Sequence, residues 1–358
     1  MTFYQELQLN QAGSKSYVAG FKKPKDKFVH ILIFIFKVLL NLAFSSAVII
    51  VSGMIFGMEN FIAGLVLLLG ISVFRFTDLD IRASHSVGGI FLIFGIFAFF
   101  PKLAHLVPLG CDFLINFIAI LFIVIIGCHN VKWSNHSILI LSYLLLYGSD
   151  VSGFSYVKRI LCLLLGATLT ALVLYRNRRK TEFKYGFKNL FTDFKLSDER
   201  SRWQIKIAFC VAGAVTIASL IGAAKPAWAG IAAMSVTIPQ GAMHPRVESR
   251  IRANVIGCLI MTVASIALPA TLFRYFGLVG GFCAGFCGKY EGQTAWNSFS
   301  AVSAAASTLG VRTALAFRVL NNVFGALFAL LFGKIIEQLL LSLNDLIVKH
   351  KQKKIASQ

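Results

Sequence analysis

Five arginines in the later half of the chain, Arg246, Arg250, Arg252, Arg312 and Arg318, flank segments that are otherwise apolar. A guanidinium fork matches a carboxylate in a bidentate way, so this set suits a small organic anion. Trp228 and Trp296, in the same half, offer faces on which an aromatic ring can stack. Asn297, Asn321, Asn322 and Gln240 add amide groups, and QTAWNSFSAVSAAASTLG is rich in Ser and Thr but poor in Leu and Ile. Such a segment packs badly against lipid, so it is expected in a central position, its hydroxyls turned to neighbours or to water. A competing reading makes the same hydroxyls and amides inter-helix hydrogen-bond glue, and the arginines topology anchors. For Arg246 the anchor reading carries more weight. His244 and Glu248 sit in a loop, where they either relay protons or are simply solvated.

Other chemistries find less support. No GxxxxGK[ST], HExxH or GxSxG occurs, so P-loop hydrolysis, zinc proteolysis and nucleophile-elbow esterase chemistry lack their usual patterns. A single TDLD, residues 77–80, is the nearest approach to a metal–diphosphate motif. The seven cysteines lie in or at the ends of apolar runs, without CxxC or Cys/His spacing. Cys283 and Cys287 share a helix face and read as small packing residues beside Gly281 and Gly285. The pattern calls for no enzyme, no cofactor and no metal.

The elements that must position these residues follow from composition. Hydrophobic residues make up 57% of 358 positions, charged residues only 14%, and Phe occurs 33 times. A soluble fold of this length cannot hide so much apolar surface, so the excess is expected to face lipid. The formal charge of +20 sits in short clusters between apolar runs. That placement suits anionic lipid headgroups and argues against nucleic acid as a partner.

The chain therefore reads as an all-α integral membrane protein with about twelve spans. They lie near 28–56, 61–75, 86–101, 112–128, 136–148 and 158–175, then 204–222, 226–240, 251–270, 272–288, 294–310 and 313–335. A basic segment, 1–27, precedes a first transmembrane half, 28–175; it looks unlike a cleaved leader. A basic linker, 176–203, is either an amphipathic helix at the headgroup layer or a solvated connection. The second transmembrane half spans 204–340, and a basic tail 341–358 follows. Six spans per half put both termini and the linker on one side. Taking that side as cytoplasmic leaves seven of the 35 Lys and Arg outside (Lys102, Lys158, Arg159, Lys225, Arg274, Arg312 and Arg318) and 28 inside.

The halves match in detail. KRILCLLLGATLTAL (158–172) aligns with FRVLNNVFGALFALL (317–331), and NFIAGL with PAWAGI. WSN at 133–135 answers WNS at 296–298. An Arg precedes a Gly by seven residues four times: Arg82/Gly89, Arg159/Gly166, Arg250/Gly257 and Arg318/Gly325. Seven residues are about two helical turns, so each pair is expected on one face, with Gly allowing close helix contact. Spans 61–75 and 226–240 correspond and are short; paired short helices point to a transporter's binding site. The alternative is that both continue into interfacial turns. The second half carries more polar groups and is expected to hold the pathway, while the first reads as apolar scaffold.

KPAWAGIAAMSVTIPQGAMHPRVESRIRANVIGCLIMTV resembles the fusaric acid resistance protein-like family, which includes bacterial aromatic acid exporters and is related to plant malate-conducting anion channels. The matching positions are Pro226, Trp228, Arg250 and Gly257, and the likeness runs from about Trp203 to Leu339 and, more faintly through the internal repeat, over residues 28–175. Two departures stand out: the linker is shorter than the soluble domain of many members, and Ala253-Asn254 replaces a frequent Gly-Thr. The resemblance implies an inner-membrane exporter of small, aromatic carboxylate anions driven by an ion gradient. It brings no set of catalytic residues to carry over. A channel-like or scaffold protein assisting envelope-polymer synthesis or export is the alternative, and a lipid-modifying enzyme built on TDLD comes third. Small-residue faces are compatible with a homodimer.

Overall fold

The computed structural model describes residues 1–239 and 241–356. Among them every regular element is helical. Two short helices, α1 (Phe3–Leu7) and α2 (Gln11–Ala19), precede α3 (Pro24–Phe56), α4 (Phe61–Phe74), α5 (Ala83–Leu106), α6 (Asp112–Gly127), α7 (His136–Tyr147) and α8 (Phe154–Arg178). After α9 (Asn189–Thr192) come α10 (Glu199–Leu220), α11 (Ala227–Val236), α12 (Met243–Ala267), α13 (Phe276–Gly285), α14 (Tyr290–Leu309) and α15 (Val311–Ala356).

Each of the twelve expected segments holds one helix. Six helices are long and apolar enough to cross a membrane: α3, α5, α8, α10, α12 and residues 311–350 of α15. The apolar helices α6, α7, α11 and α13, and the stretch Met58–Phe74 containing α4, are shorter. α14 has 20 residues but is too rich in Ser, Thr and Ala to join the long apolar set. This architecture fits a helical membrane protein.

Local chemistry sets the boundaries. Asp198 caps α10 by accepting the Arg200 amide, and Glu199 follows in the first turn, where the helix dipole favours an acid. Arg176 and Arg178 occupy the last turn of α8, the end that favours a cation. Gly310 separates α14 from α15 at φ +74°, a conformation that a side chain would oppose.

The chain folds into two compact units, Met1–Ala47 with Glu248–Asn322, and Val48–Val247 with Val323–Gln358. Each unit thus draws on both sequence halves. In the first, the N-terminal segment is folded onto α3. Thr2 and Gln5 form a capping box, Glu6 binds His30 at 2.8 Å, and Lys37 Nζ donates to the Leu9 carbonyl and to Ser14. In the second, α4, α5 and α8 pack through glycines. A Cβ on Gly166 would lie 2.8 Å from Phe94 and 3.2 Å from Leu67 Cβ.

The linker is neither a continuous amphipathic helix nor a loose tether. Its helix is the single turn α9, because its backbone is spent on neighbouring loops. Tyr185 O accepts the Arg82 amide at 3.0 Å, and the Phe187 amide donates to His85 Nδ1 at 3.2 Å. α15 continues as helix through the basic residues that follow 340.

Candidate functional site

Within the first unit, α12, α14 and α15 bring five polar side chains into one buried network. Arg250, one turn before Asn254 on α12, is 6% exposed, and its Nε and Nη2 both donate to Asn322 Oδ1, at 3.1 and 2.9 Å. Asn322 Nδ2 donates to the Arg318 carbonyl at 2.8 Å, a link within α15 that aims the amide oxygen at Arg250. Arg318 Nη2 reaches Ser298 Oγ on α14 at 3.3 Å, and Asn254 Nδ2 donates to the same hydroxyl at 2.8 Å. Asn254, Ser298, Arg318 and Asn322 are each no more than 3% exposed.

The helices come this close because Gly257 of α12 has no side chain: a Cβ there would fall inside the backbone of Ala295 on α14. Gly257 thus permits the approach of α12 to α14, which Asn254 bridges through Ser298, while Arg250 reaches α15 through Asn322.

The electrostatics are unusual for a buried place. The acceptor that Arg250 addresses is a neutral amide, and no described carboxylate lies within ion-pair distance of it. Its charge also acts repulsively on Arg318. Burying a guanidinium costs several kcal/mol unless a counter-charge arrives. An entering carboxylate would supply that charge and accept two parallel N–H bonds. Asn254 Oδ1 is buried and lacks a hydrogen-bond partner.

Of the residues singled out by sequence, Arg250, Arg318 and Asn322 are therefore together, with Asn321 buried beside them on α15. Arg252 is exposed and faces Glu291 at 3.3 Å. Asn297 is exposed, whereas its neighbour Ser298 turns inward. Trp296 is half-buried, its ring against Phe299 at 5.5 Å between centroids. Arg312 is exposed. Trp228 belongs to the other unit, buried in α11, where Arg246 holds the Ser235 carbonyl. Gln240 lies outside the described residues.

The second unit repeats part of this design. Arg159, buried on α8, donates from Nε to Asn60 Oδ1 at 3.1 Å and from Nη1 to the Ser149 carbonyl at 2.5 Å, while its Nη2 is buried without a hydrogen-bond partner. Gly166 then sits on α4 through Leu67, as Gly325 of α15 sits on α11 through Ala229. Arg82 departs from the pattern: it is exposed at the N-cap of α5, while Gly89 is buried against Leu79 and Ile126.

The TDLD carboxylates are engaged in joining loops. Asp78 Oδ1 accepts the Trp133 indole N–H at 3.1 Å, Asp78 Oδ2 faces Arg178 at 3.5 Å, and Asp80 Oδ2 meets His129 at 2.8 Å. Among the described residues no group of three or more His, Cys, Asp or Glu could hold a metal ion.

Sequence reasoning passed over a second buried cluster, Asp112, Asn116, Tyr143, Tyr147 and Thr216 on α6, α7 and α10. Its signal was present: Asp112 and Asn116 are one turn apart at the start of the apolar run DFLINFIAILF. Comparison with known proteins gives no match for this chain, neither to a family model nor to a curated protein nor to a solved structure.

Proposed function

We propose that the chain is a multi-pass permease that exports small organic anions, aromatic carboxylates foremost, under an ion gradient. In this reading its twelve helices form two homologous six-span halves, with both termini and the linker in the cytoplasm.

The observation that carries the reading is Arg250, buried with Arg318 nearby and bonded through its fork to a neutral amide. A permanently compensated arginine has no vacancy for a ligand; one leaning on a neutral oxygen can exchange that contact for a carboxylate. The alternation of helix lengths supports the duplicated plan: α3, α5, α8 and α10, α12, α15 are the long apolar members. The matched seats of Gly166 and Gly325 do so as well. The sequence likeness to exporter families adds the substrate class.

The test is efflux of radiolabelled phthalate, an aromatic dicarboxylate too charged to cross lipid unaided, from proteoliposomes. Arg250→Ala and Arg250→Lys should both lower the rate at least tenfold, the second because an ammonium cannot reproduce the fork. Wild-type rates from variants that remain folded would remove Arg250 from the pathway.

A further inference from the structure

Asp112 is 3% exposed, and the groups around it are neutral. Its Oδ1 accepts the Gly110 amide at 3.0 Å. Its Oδ2 accepts from Thr216 Oγ1 of α10 at 3.0 Å, Tyr147 Oη of α7 at 3.3 Å and Asn116 Nδ2 at 3.4 Å. Asn116 Oδ1 in turn accepts from Tyr143 Oη at 2.6 Å, so the polar chain continues inward along α6 and α7. Among the described residues no Lys, Arg or His lies within ion-pair distance of this carboxylate. The titratable groups that face it are Tyr143 and Tyr147 from α7. Beyond Tyr147 lies exposed His105 of α5, whose ring stacks on that tyrosine at 4.6 Å.

The kind of partner matters more than the number. A lysine, an arginine or a backbone amide can only donate, and would be left facing a proton if the carboxyl were protonated. Hydroxyls both donate and accept. When a proton binds Oδ2, the new O–H can donate to Thr216 Oγ1 once that hydroxyl turns away, and Tyr147 can do the same. Oδ1 keeps the Gly110 amide in either state. The site can therefore hold a carboxylate or a carboxylic acid with Thr216, Tyr147 and Gly110 bonded to it in either state. An ionisable residue in a membrane helix costs enough that a working role is its first explanation.

We propose that Asp112 is the proton-binding site of this protein and carries the coupling proton of the permease; the coupling rests on the function proposed above, the proton site does not. α6 starts at Asp112 and ends near the linker, while Thr216 and Tyr147 close the helices that start there. Asp112 thus lies at the end remote from the linker. With the linker cytoplasmic, the site lies toward the exterior end of these helices. One proton entering as one anion leaves moves positive charge inward in both halves of the exchange. The membrane potential and the pH gradient then drive the same direction.

Two measurements on the full-length protein separate the claims. In lipid nanodiscs, an infrared difference spectrum between acid and alkaline pH should contain a protonated-carboxyl component that is missing from the spectrum of Asp112→Asn, in which the other carboxyls still contribute. In Thr216→Val, which retains the carboxyl but loses one exchangeable partner, the midpoint of that band should move. In proteoliposomes with the membrane potential held at zero by potassium and valinomycin, a pH gradient should accumulate phthalate by about tenfold per pH unit at one proton per anion, and the ratio of rates with and without the gradient should fall to one in Asp112→Asn. Protonated-carboxyl bands that are identical in the wild type and Asp112→Asn overturn the site. A ratio that stays high in Asp112→Asn, or a sodium gradient that drives uptake in place of protons, overturns the coupling. Phthalate that does not move in the wild type, with the band still lost in Asp112→Asn, overturns the permease reading and leaves the proton site standing.

Discussion

Gly325 of α15 meets the carbonyl of Ala229 on α11 so closely that a Cβ built on it would sit inside the oxygen's van der Waals shell. The obstacle is backbone, which cannot swing aside as a side chain can. Gly325→Ala should therefore cost about 1–3 kcal/mol, the range for overpacking a filled interior. Gly257→Ala should behave alike, since its neighbour is the Ala295 backbone. Gly95→Ala, with nothing within 4 Å of the added atom, should be neutral or gain about 0.5–1 kcal/mol in its helix. Thermal unfolding in detergent ranks the three; equal midpoints for Gly325→Ala and Gly95→Ala would show that the contact does not constrain the fold.

Tyr143 is fully buried, and its hydroxyl lies 2.6 Å from Asn116 Oδ1. Tyr143→Phe keeps the ring and orphans the amide oxygen, at a cost of about 1–3 kcal/mol. Asn116→Leu in the same background removes the orphan and should recover part of the loss. A double variant no more stable than Tyr143→Phe would rule out this accounting.

The linker is held by His129, which is buried between Asp80 at 2.8 Å and Asp193 at 3.6 Å, with the Tyr185 ring against it and Arg200 on its carbonyl. Asp80 has φ +60°, which Asn tolerates, so Asp80→Asn removes the charge without changing the backbone preference. The expected result is several-fold faster tryptic cleavage between Arg176 and Arg202. Cleavage at the wild-type rate would mean that the Asp80–His129 contact does not hold the segment.

The helices were legible because lipid-facing apolar runs and their interruptions are recorded directly in composition. Arg250, Arg318 and Asn322 were legible for a related reason: polar groups inside such runs need partners. Partner identity was not. Ser298 and Asn297 are adjacent letters in the same Ser-rich stretch, and only helix phase, fixed by Gly257 seating on Ala295, turns one inward and the other out. The reading of the first half as apolar scaffold overlooked Asp112, because an acid at a helix start looks like a boundary marker; Arg159 was named in an Arg–Gly pair, but its partners Asn60 and Ser149 were not. The folded linker was illegible since His129, Asp80 and Asp193 are far apart in sequence and meet only through the ends of α4, α6 and α9.

Arg159 and Asn60 supply the sharpest test of how these buried arginines are held. Asn60 is fully buried; its Nδ2 donates to the Phe56 and Ser155 carbonyls, which fixes its oxygen toward Arg159 Nε. Arg159 Nη1 holds the Ser149 carbonyl on the far side, so one guanidinium bridges the start of α4 and the turn after α7. A lysine ends in a single ammonium and cannot span both acceptors. Arg159→Lys should therefore lose about 1–3 kcal/mol, most of it from the acceptor left bare. If the two residues act as one unit, Asn60→Ala combined with Arg159→Lys should cost less than the two changes summed, by about 0.5–3 kcal/mol. Strict additivity in that cycle would mean that the Arg159–Asn60 bond carries no coupling and that each residue is held by its other partners alone.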